Sequence, residues 1–285
     1  MSVLQNKIDF AVVISCKNAN PNGDPLNGNQ PRKTFKGLGE ISDVCIKRKI
    51  RNRLMDMGEN VFVQSDDKNI DGHRSLRERA DANTELKTAE KDKEKYAQIA
   101  CSNWIDVRSF GQVFAFKGDK TDGVSVGVRG PVSIQPAFSV ETVDITSTQI
   151  TKSVNSETKD IGKKSSDTMG MKHRVDFGVY VIKGSINVQL AEKTGFTEED
   201  AEKMKEAFRT LFVNDCSSAR PEGSMTVEKL YWWRHNNKIG QYSVAKVHNS
   251  LEVKLVAEER TDTMADYEIT LTPLDSLQCE QYEGL

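Results

Sequence analysis

IDFAVVISC (Ile8–Cys16), NANPNGDPLNGNQP (Asn18–Pro31) and SDVCIKRKIRNRLMDM (Ser42–Met57) follow one another near the start of a 285-residue chain. The first stretch is almost continuously apolar, which predicts a strand at the centre of a sheet. The second has the Asn, Gly, Pro and Asp content of an ordered loop built from several turns. The third predicts a helix, because Ile46, Ile50, Leu54 and Met57 fall within roughly one quarter of the helical circumference. Lys47 and Arg51 flank that stripe on one side, Lys49 and Arg53 flank it on the other, and Arg48 points away. Such a helix can pack on a sheet while its basic residues reach round its edges.

Outward from this unit the pattern changes. Asp66–Ala100 is dense in charge of both signs and poor in large apolar residues. It reads as an inserted, peripheral helical lobe, with a disordered linker as the alternative. Strand patterns return at FGQVFAF (Phe110–Phe116) and VSVGVRGPVSIQPAFSVETV (Val124–Val143). The polar stretch Asp144–Lys172 lies between strand-like flanks, as expected of a long, exposed β-hairpin arm. Phe177–Leu190 alternates, with Ile186, Val188 and Leu190 on one face and Gly184 marking a bend. TEEDAEKMKEAFRTLF (Thr197–Phe212) is a helix capped by Thr197, with Asp200 where a capping box places its carboxylate. MTVEKLYWW, LEVKLV and YEITLTP are further strands. Trp232 and Trp233 adjoin on the first of these and point to opposite faces, one into the core and the other toward an interface. With the insertion and the arm set aside, the order is β-α-β-β-α-β. That is the ferredoxin-like or RRM-type order of an α+β fold. Its open sheet is a common platform for single-stranded RNA, although the aromatic RNP motifs of an ordinary RRM are absent.

A hydrophobic fraction of 37% and a charged fraction of 29% describe a soluble globular protein with a sizeable core. No apolar run approaches the roughly 20 residues of a membrane helix, and no secretory signal pattern is visible, so a cytoplasmic protein is expected. The five cysteines are odd in number and far apart, with no CxxC. They read as reduced, buried or half-buried thiols rather than a zinc site or a disulfide framework. Net charge is −2, but Arg32–Arg53 holds eight basic and two acidic residues, while Glu252–Leu285 holds nine acidic and two basic. A near-neutral chain with a concentrated basic segment can hold a polyanion on one surface. A solvated helix face is the plainer alternative.

NANPNGDP after a first strand, then SDVCIKRKIRNRL, resembles the backbone subunit of the type I-C CRISPR Cascade complex, a member of the repeat-associated RNA-binding superfamily. DVRSFGQVF (Asp106–Phe114), VRGPVSIQPAFS (Val128–Ser139) and MGMKHRVDFGVYV (Met169–Val181) continue the resemblance in the same order, over nearly the whole chain. It implies one hand-shaped domain. Residues 1–60, 104–143 and 173–285 would form an RRM-like palm, 61–103 a helical fingers lobe and 144–172 a thumb hairpin. It also implies copies stacked head to tail along a guide RNA (crRNA) that pairs with invading DNA. Other Cascade subunits (guide-processing, large and small) would adjoin them. No cofactor and no catalytic role are implied, since cutting belongs to a recruited nuclease.

A subunit that holds guides of any sequence must grip phosphates and 2′-hydroxyls and leave base edges free. The candidates for that task are Asn18, Asn20 and Asn22 in the loop, the cluster Arg32, Lys33 and Lys36, and Lys47, Lys49, Arg51 and Arg53 on the helix. Arg108 and Arg129 in the strand motifs and Lys172, His173 and Arg174 at the base of the arm complete the cationic set. Met169 and Met171 could form an apolar tip that wedges between bases, or pack at the arm's root. For the asparagines and Asp24 the alternative is turn-making. The expected groove has the loop and helix as one wall, and Arg108, Arg129 and the foot of the arm as the other. Asp24, Asp106 and His173 are the candidates for a metal-dependent, RNA-cutting backbone subunit of the type III kind, but no spacing unites them. No P-loop or dinucleotide fingerprint is present. A structural oligomer whose basic helix binds an acidic protein is a third class.

Overall fold

The computed structural model describes residues 2–89, 91–116, 124–153, 169–258 and 261–285. Its first half holds β1 (Ile8–Ala19), β2 (Gly23–Asp24), β3 (Gln30–Pro31), β4 (Leu38–Ile41), α1 (Asp43–Asp56), α2 (Leu76–Ala82), α3 (Thr84–Thr88), α4 (Lys93–Asn103) and α5 (Ile105–Phe110). There follow β5 (Gly111–Phe116), β6 (Val124–Arg129), β7 (Val132–Ile134), β8 (Ala137–Thr142), β9 (Ile145–Thr151) and β10 (Met169–Ile186). The chain ends with α6 (Val188–Thr194), α7 (Glu198–Arg209), β11 (Met225–Arg234), α8 (Val244–Asn249), β12 (Leu251–Leu255), β13 (Tyr267–Leu271) and β14 (Cys279–Glu283).

One antiparallel sheet organises the molecule, in the order β14-β11-β1-β10-β8-β4, with β7 and β9 also paired to β10. β1 is central, as its apolar run predicts, and both its faces are covered. Ile8, Phe10, Val12 and Ile14 join a core with Ile46, Ile50 and Leu54 of α1 and Met204 and Phe208 of α7. The Phe10 ring lies 4.6 Å from that of Phe208 and 5.7 Å from that of Trp232. Burying each such side chain contributes on the order of 2–3 kcal/mol. Gly184 is where the sheet needs a missing side chain: a Cβ there would come within 2.2 Å of the Phe10 ring and 2.4 Å of the Ser133 carbonyl. It permits close approach inside an unbroken strand.

The opposite face carries a second core of Ala11, Val13, Val179, Tyr231 and Trp233, roofed by Val247 of α8, Leu251 of β12 and Leu277. This corrects two expectations. Among the described residues, the C-terminal segment covers the face of β1, β10 and β11 that an RRM would leave open to RNA. Trp233 is 2% exposed and lines that second core rather than an interface.

A third core joins Phe62, Leu86, Tyr96, Trp104, Phe114 and Val126. Its rings meet closely: Phe62 lies 4.6 Å from Trp104 and 5.1 Å from Phe114. The helical reading of the charged stretch therefore holds over the disordered one. Leu86 and Tyr96 of that stretch converge in this core, with Leu76 and Ile99 packed against it, and β5 and β6, which among the described residues pair with each other and with no other strand, complete the cluster. Further on, the alternation of Phe177–Leu190 stops at Ile186. Asn187 accepts a hydrogen bond from the Leu190 N–H (2.8 Å) and starts α6, so Val188 and Leu190 lie on a helix. β9 pairs with β10 from Ile145↔Val175 to Thr151↔Met169 as the base of an arm. Residues 154–168, the expected tip, lie outside the described residues.

Candidate nucleic-acid interface

Three elements meet at one end of the main sheet. β1 ends there with Ala19 opposite Val175, and Val175 pairs in turn with Ile145 at the root of the arm. The segment between β3 and β4 is pinned to the same place. Val143 N–H donates to the Gly37 carbonyl (3.1 Å), and Gly39 N–H donates to Ser139 Oγ (2.8 Å). The NANPNGDP loop, the Arg32–Lys36 cluster and the arm's foot thus form one continuous surface.

The loop holds itself rigid with its own amides. Asn20 is buried: its Nδ2 donates to the Asn29 carbonyl (2.7 Å), and its backbone N–H donates to the Ala219 carbonyl (2.9 Å). Asn22 Oδ1 accepts from both the N–H and the hydroxyl of Ser42 (2.9 Å each), which ties the loop to the N-cap of α1. Asp24 accepts from the Leu26 N–H (3.2 Å) and from Arg32 (3.4 Å). Unlike Asn20 and Asn22, Asn18 is exposed, and it takes the left-handed region at φ +53°. Lys33, Lys36 and Lys172 are exposed and form no ion pair among the described residues. On the arm, Met169, Met171 and His173 alternate with Lys172 and Arg174, so one face is apolar to neutral and the other basic. Met169 and Met171 are exposed, His173 Nδ1 lies 2.7 Å from Ser147 Oγ, and Arg174 reaches Asp176 at 3.3 Å.

The cations of α1 behave differently. Lys47 pairs with Asp43 at 2.9 Å on the surface. Lys49 is buried against Asp215, and burial pushes its ammonium below its ordinary range despite that partner. Arg51 donates to Asp106 (2.8 Å) and lies over the Phe110 ring (5.2 Å), while Arg53 donates to Thr210 Oγ1 (2.7 Å). Asp106 is fully buried and also accepts from the N–H groups of Phe62 (2.7 Å) and Val63 (3.1 Å). Arg108 grips Asp200 with two bonds of 2.9 and 2.7 Å. That same carboxylate closes the capping box of α7. Arg51 and Arg108 therefore staple the helical lobe to α1 and α7.

Arg129 is exposed at the end of β6. It and Arg108 belong to the opposite end of the sheet, where Val132 pairs with Ile186. Val175 to Ile186 along β10 is roughly 35 Å at about 3.3 Å per residue. The structure brings Asn18, Arg32, Lys33, Lys36, Lys172, His173 and Arg174 together and keeps Arg129 away from them. It also adds a wall the sequence did not suggest. The segment after α7 supplies Asp215 and Arg220 beside Lys49 and lines a cavity of about 690 Å³ with Phe212 and Met225. Nothing in its local pattern marks it, because its partners come from β1 and α1.

The sequence model of one protein family, described as CRISPR-associated protein Cas7, matches residues 6–272. A CRISPR-associated protein Cas7 of Haloferax volcanii is 22% identical over 281 residues, which cover 94% of this chain and 82% of that protein. Among solved structures, a chain of a CRISPR RNA-guided surveillance complex in a pre-nicking state matches with a TM-score of 0.50 at 15% identity, covering 83% of each chain. A chain of a second CRISPR RNA-guided surveillance complex matches with a TM-score of 0.42 at 16% identity, covering 80% of this chain and 68% of that one. At such identities the first structure speaks for the fold, a mixed α/β architecture around an antiparallel sheet. The family match spans nearly the whole chain, and on that ground the protein belongs to the CRISPR-associated protein Cas7 family.

Proposed function

We propose that this protein is a non-catalytic backbone subunit of a CRISPR RNA-guided surveillance complex of the type I-C kind. Copies of it would line up along a guide RNA in the cytoplasm, together with other Cascade subunits, and present the guide's bases to invading DNA. The observation that carries this reading is the meeting of the loop, the basic turn and the arm at one sheet end. There Lys33, Lys36 and Lys172 have no carboxylate partner among the described residues. Such cations are free to neutralise phosphates. Asn18 adds a neutral donor and acceptor beside them. In this reading the strands β11-β1-β10-β8, with α1 and α7 on one face, are an RRM-like palm. The lobe of α2–α5 is the fingers, and the hairpin begun by β9 and β10 is the thumb. Asp106, the candidate carboxylate of an RNA-cutting variant, is enclosed by Arg51 and two backbone amides. That environment supports a structural role for it.

The test is direct. Purified protein is expected to carry RNA, seen in its 260/280 nm absorbance ratio and recovered as ladder-like protected lengths. Replacing Lys33, Lys36 and Lys172 together with alanine should lower RNA affinity more than ten-fold at moderate salt, by loss of about three phosphate contacts. A protein that stays monomeric and ignores RNA even at low salt would exclude the backbone role.

A further inference from the structure

Thr34, Phe35, Lys36 and Gly37 form a β-turn, with the Gly37 N–H donating to the Thr34 carbonyl (3.0 Å). The turn is braced from several sides. Thr34 N–H donates to the Leu38 carbonyl (2.8 Å), and Leu38 N–H donates to Thr34 Oγ1 (3.2 Å). The Gly37 carbonyl is held by Val143, at the point where the chain enters the arm. Gly37 itself takes φ +85°, a conformation that suits glycine and fixes the direction of the turn.

Phe35 occupies the first central position of this rigid turn and is 108% exposed. That position accepts most residue types, so the backbone does not require an aromatic ring there. The ring is not part of any of the three cores. It sits between Lys33 and Lys36, which are exposed and unpaired among the described residues. A preset aromatic face between two free cations has the chemistry of a single-strand stacking platform, with the base on the ring and phosphates on the flanking charges. Stacking uses the face of a base and leaves its pairing edge open. The contact is therefore sequence-tolerant and compatible with a guide that must still pair.

We propose that Phe35 stacks on a base of the bound RNA strand while Lys33 and Lys36 take the adjacent phosphates. This rests on the RNA-backbone reading above, and the experiment separates the two. Full-length protein freed of nucleic acid is titrated against a fluorescein-labelled single-stranded RNA, followed by anisotropy at several salt concentrations. Phe35→Ala and Phe35→Leu are expected to bind about ten-fold more weakly, with Phe35→Trp restoring affinity. The salt slope should stay that of the wild type, because no charge is removed. Thermal melting of all three should be unchanged, since the ring is outside the cores. If Phe35→Ala binds RNA as the wild type does while Lys33→Ala weakens binding, the stacking role is overturned and the backbone reading stands. If Phe35→Ala keeps RNA affinity but loses self-association in sedimentation, the ring contacts another copy and the proposal is equally overturned. A wild type that binds no RNA removes both readings.

Discussion

Lys49, Arg51, Arg53 and Arg108 show how little a cation's sequence neighbourhood says about its task. Their partners lie 166, 55, 157 and 92 positions away along the chain. Local pattern reveals the charge and the helical face but cannot reveal a carboxylate delivered by a distant loop. The capping box of Thr197 and Asp200 is the opposite case: both partners lie within one turn, and it was legible in full. His248 is another distant pairing. Its Nε2–H donates to the Gly184 carbonyl (3.0 Å) inside the fold. Burial pushes its pKa below the ordinary 6.5, and that outweighs the bond to Gly184 and the charge of Asp9, while Lys183 and Lys7 act in the same direction as burial. A depressed folded-state pKa means that the unfolded chain binds the proton first. The stability His248 contributes is therefore present above about pH 6.5 and lost as pH falls through the folded value. The melting temperature should drop between about pH 7 and pH 5, and His248→Gln, which keeps a donor but cannot titrate, should flatten that drop. An equal slope in the variant would place the titration elsewhere. Asp9 acts in a lower window. Burial raises its pKa, but bonds from His235 and Lys7 outweigh this and hold it below 3.8.

At the scale of elements, strand and helix types were readable where a segment packs on one or two faces and so shows a clean period. β1, α1 and α7 are examples. The ladder at the base of the expected arm is legible for the opposite reason, as the strand-like flanks of a polar stretch. Thr151 and Met169 are cross-strand partners, so residues 152–168 can be replaced by an Asn-Gly turn without disturbing the ladder below. Little change in stability is expected, within about 0.5 kcal/mol, because the β9 side chains beneath are exposed or half-buried and lie outside the main core, Ile145 excepted. Orderly assembly on RNA should fail, read by electron microscopy of the ribonucleoprotein. Unfolding of the shortened chain would show instead that the removed stretch is needed for the fold. β5 and β6 are legible as strands, but their place in the fold is not. They look like any others, and only the position of the third core takes them out of the main sheet.

Across the whole molecule, the cations at the arm's root and Arg129 lie toward opposite ends of the main sheet, roughly 35 Å apart along β10. An RNA too short to bridge that span should feel only the arm-root end. For such an RNA, Lys33→Ala and Lys36→Ala are each expected to reduce the slope of log affinity against log salt by about 0.7. Arg129→Ala should leave the slope unchanged, and a reduced slope would bring the two ends onto one binding path. The sequence by itself determined the central strand, the helix that packs on it, the capped acidic helix, the turn-rich loop and the family. Each of these is written in residues close together or in motifs of fixed order. Tertiary structure alone decided which cations remain available, because a carboxylate from a distant element can bury a charge that looks free. It alone closed the second face of the sheet, because the C-terminal residues that roof it show no sign in their own sequence of where they will dock. It alone also lifted Phe35 to the tip of a braced turn between two lysines that have no ion-pair partner among the described residues.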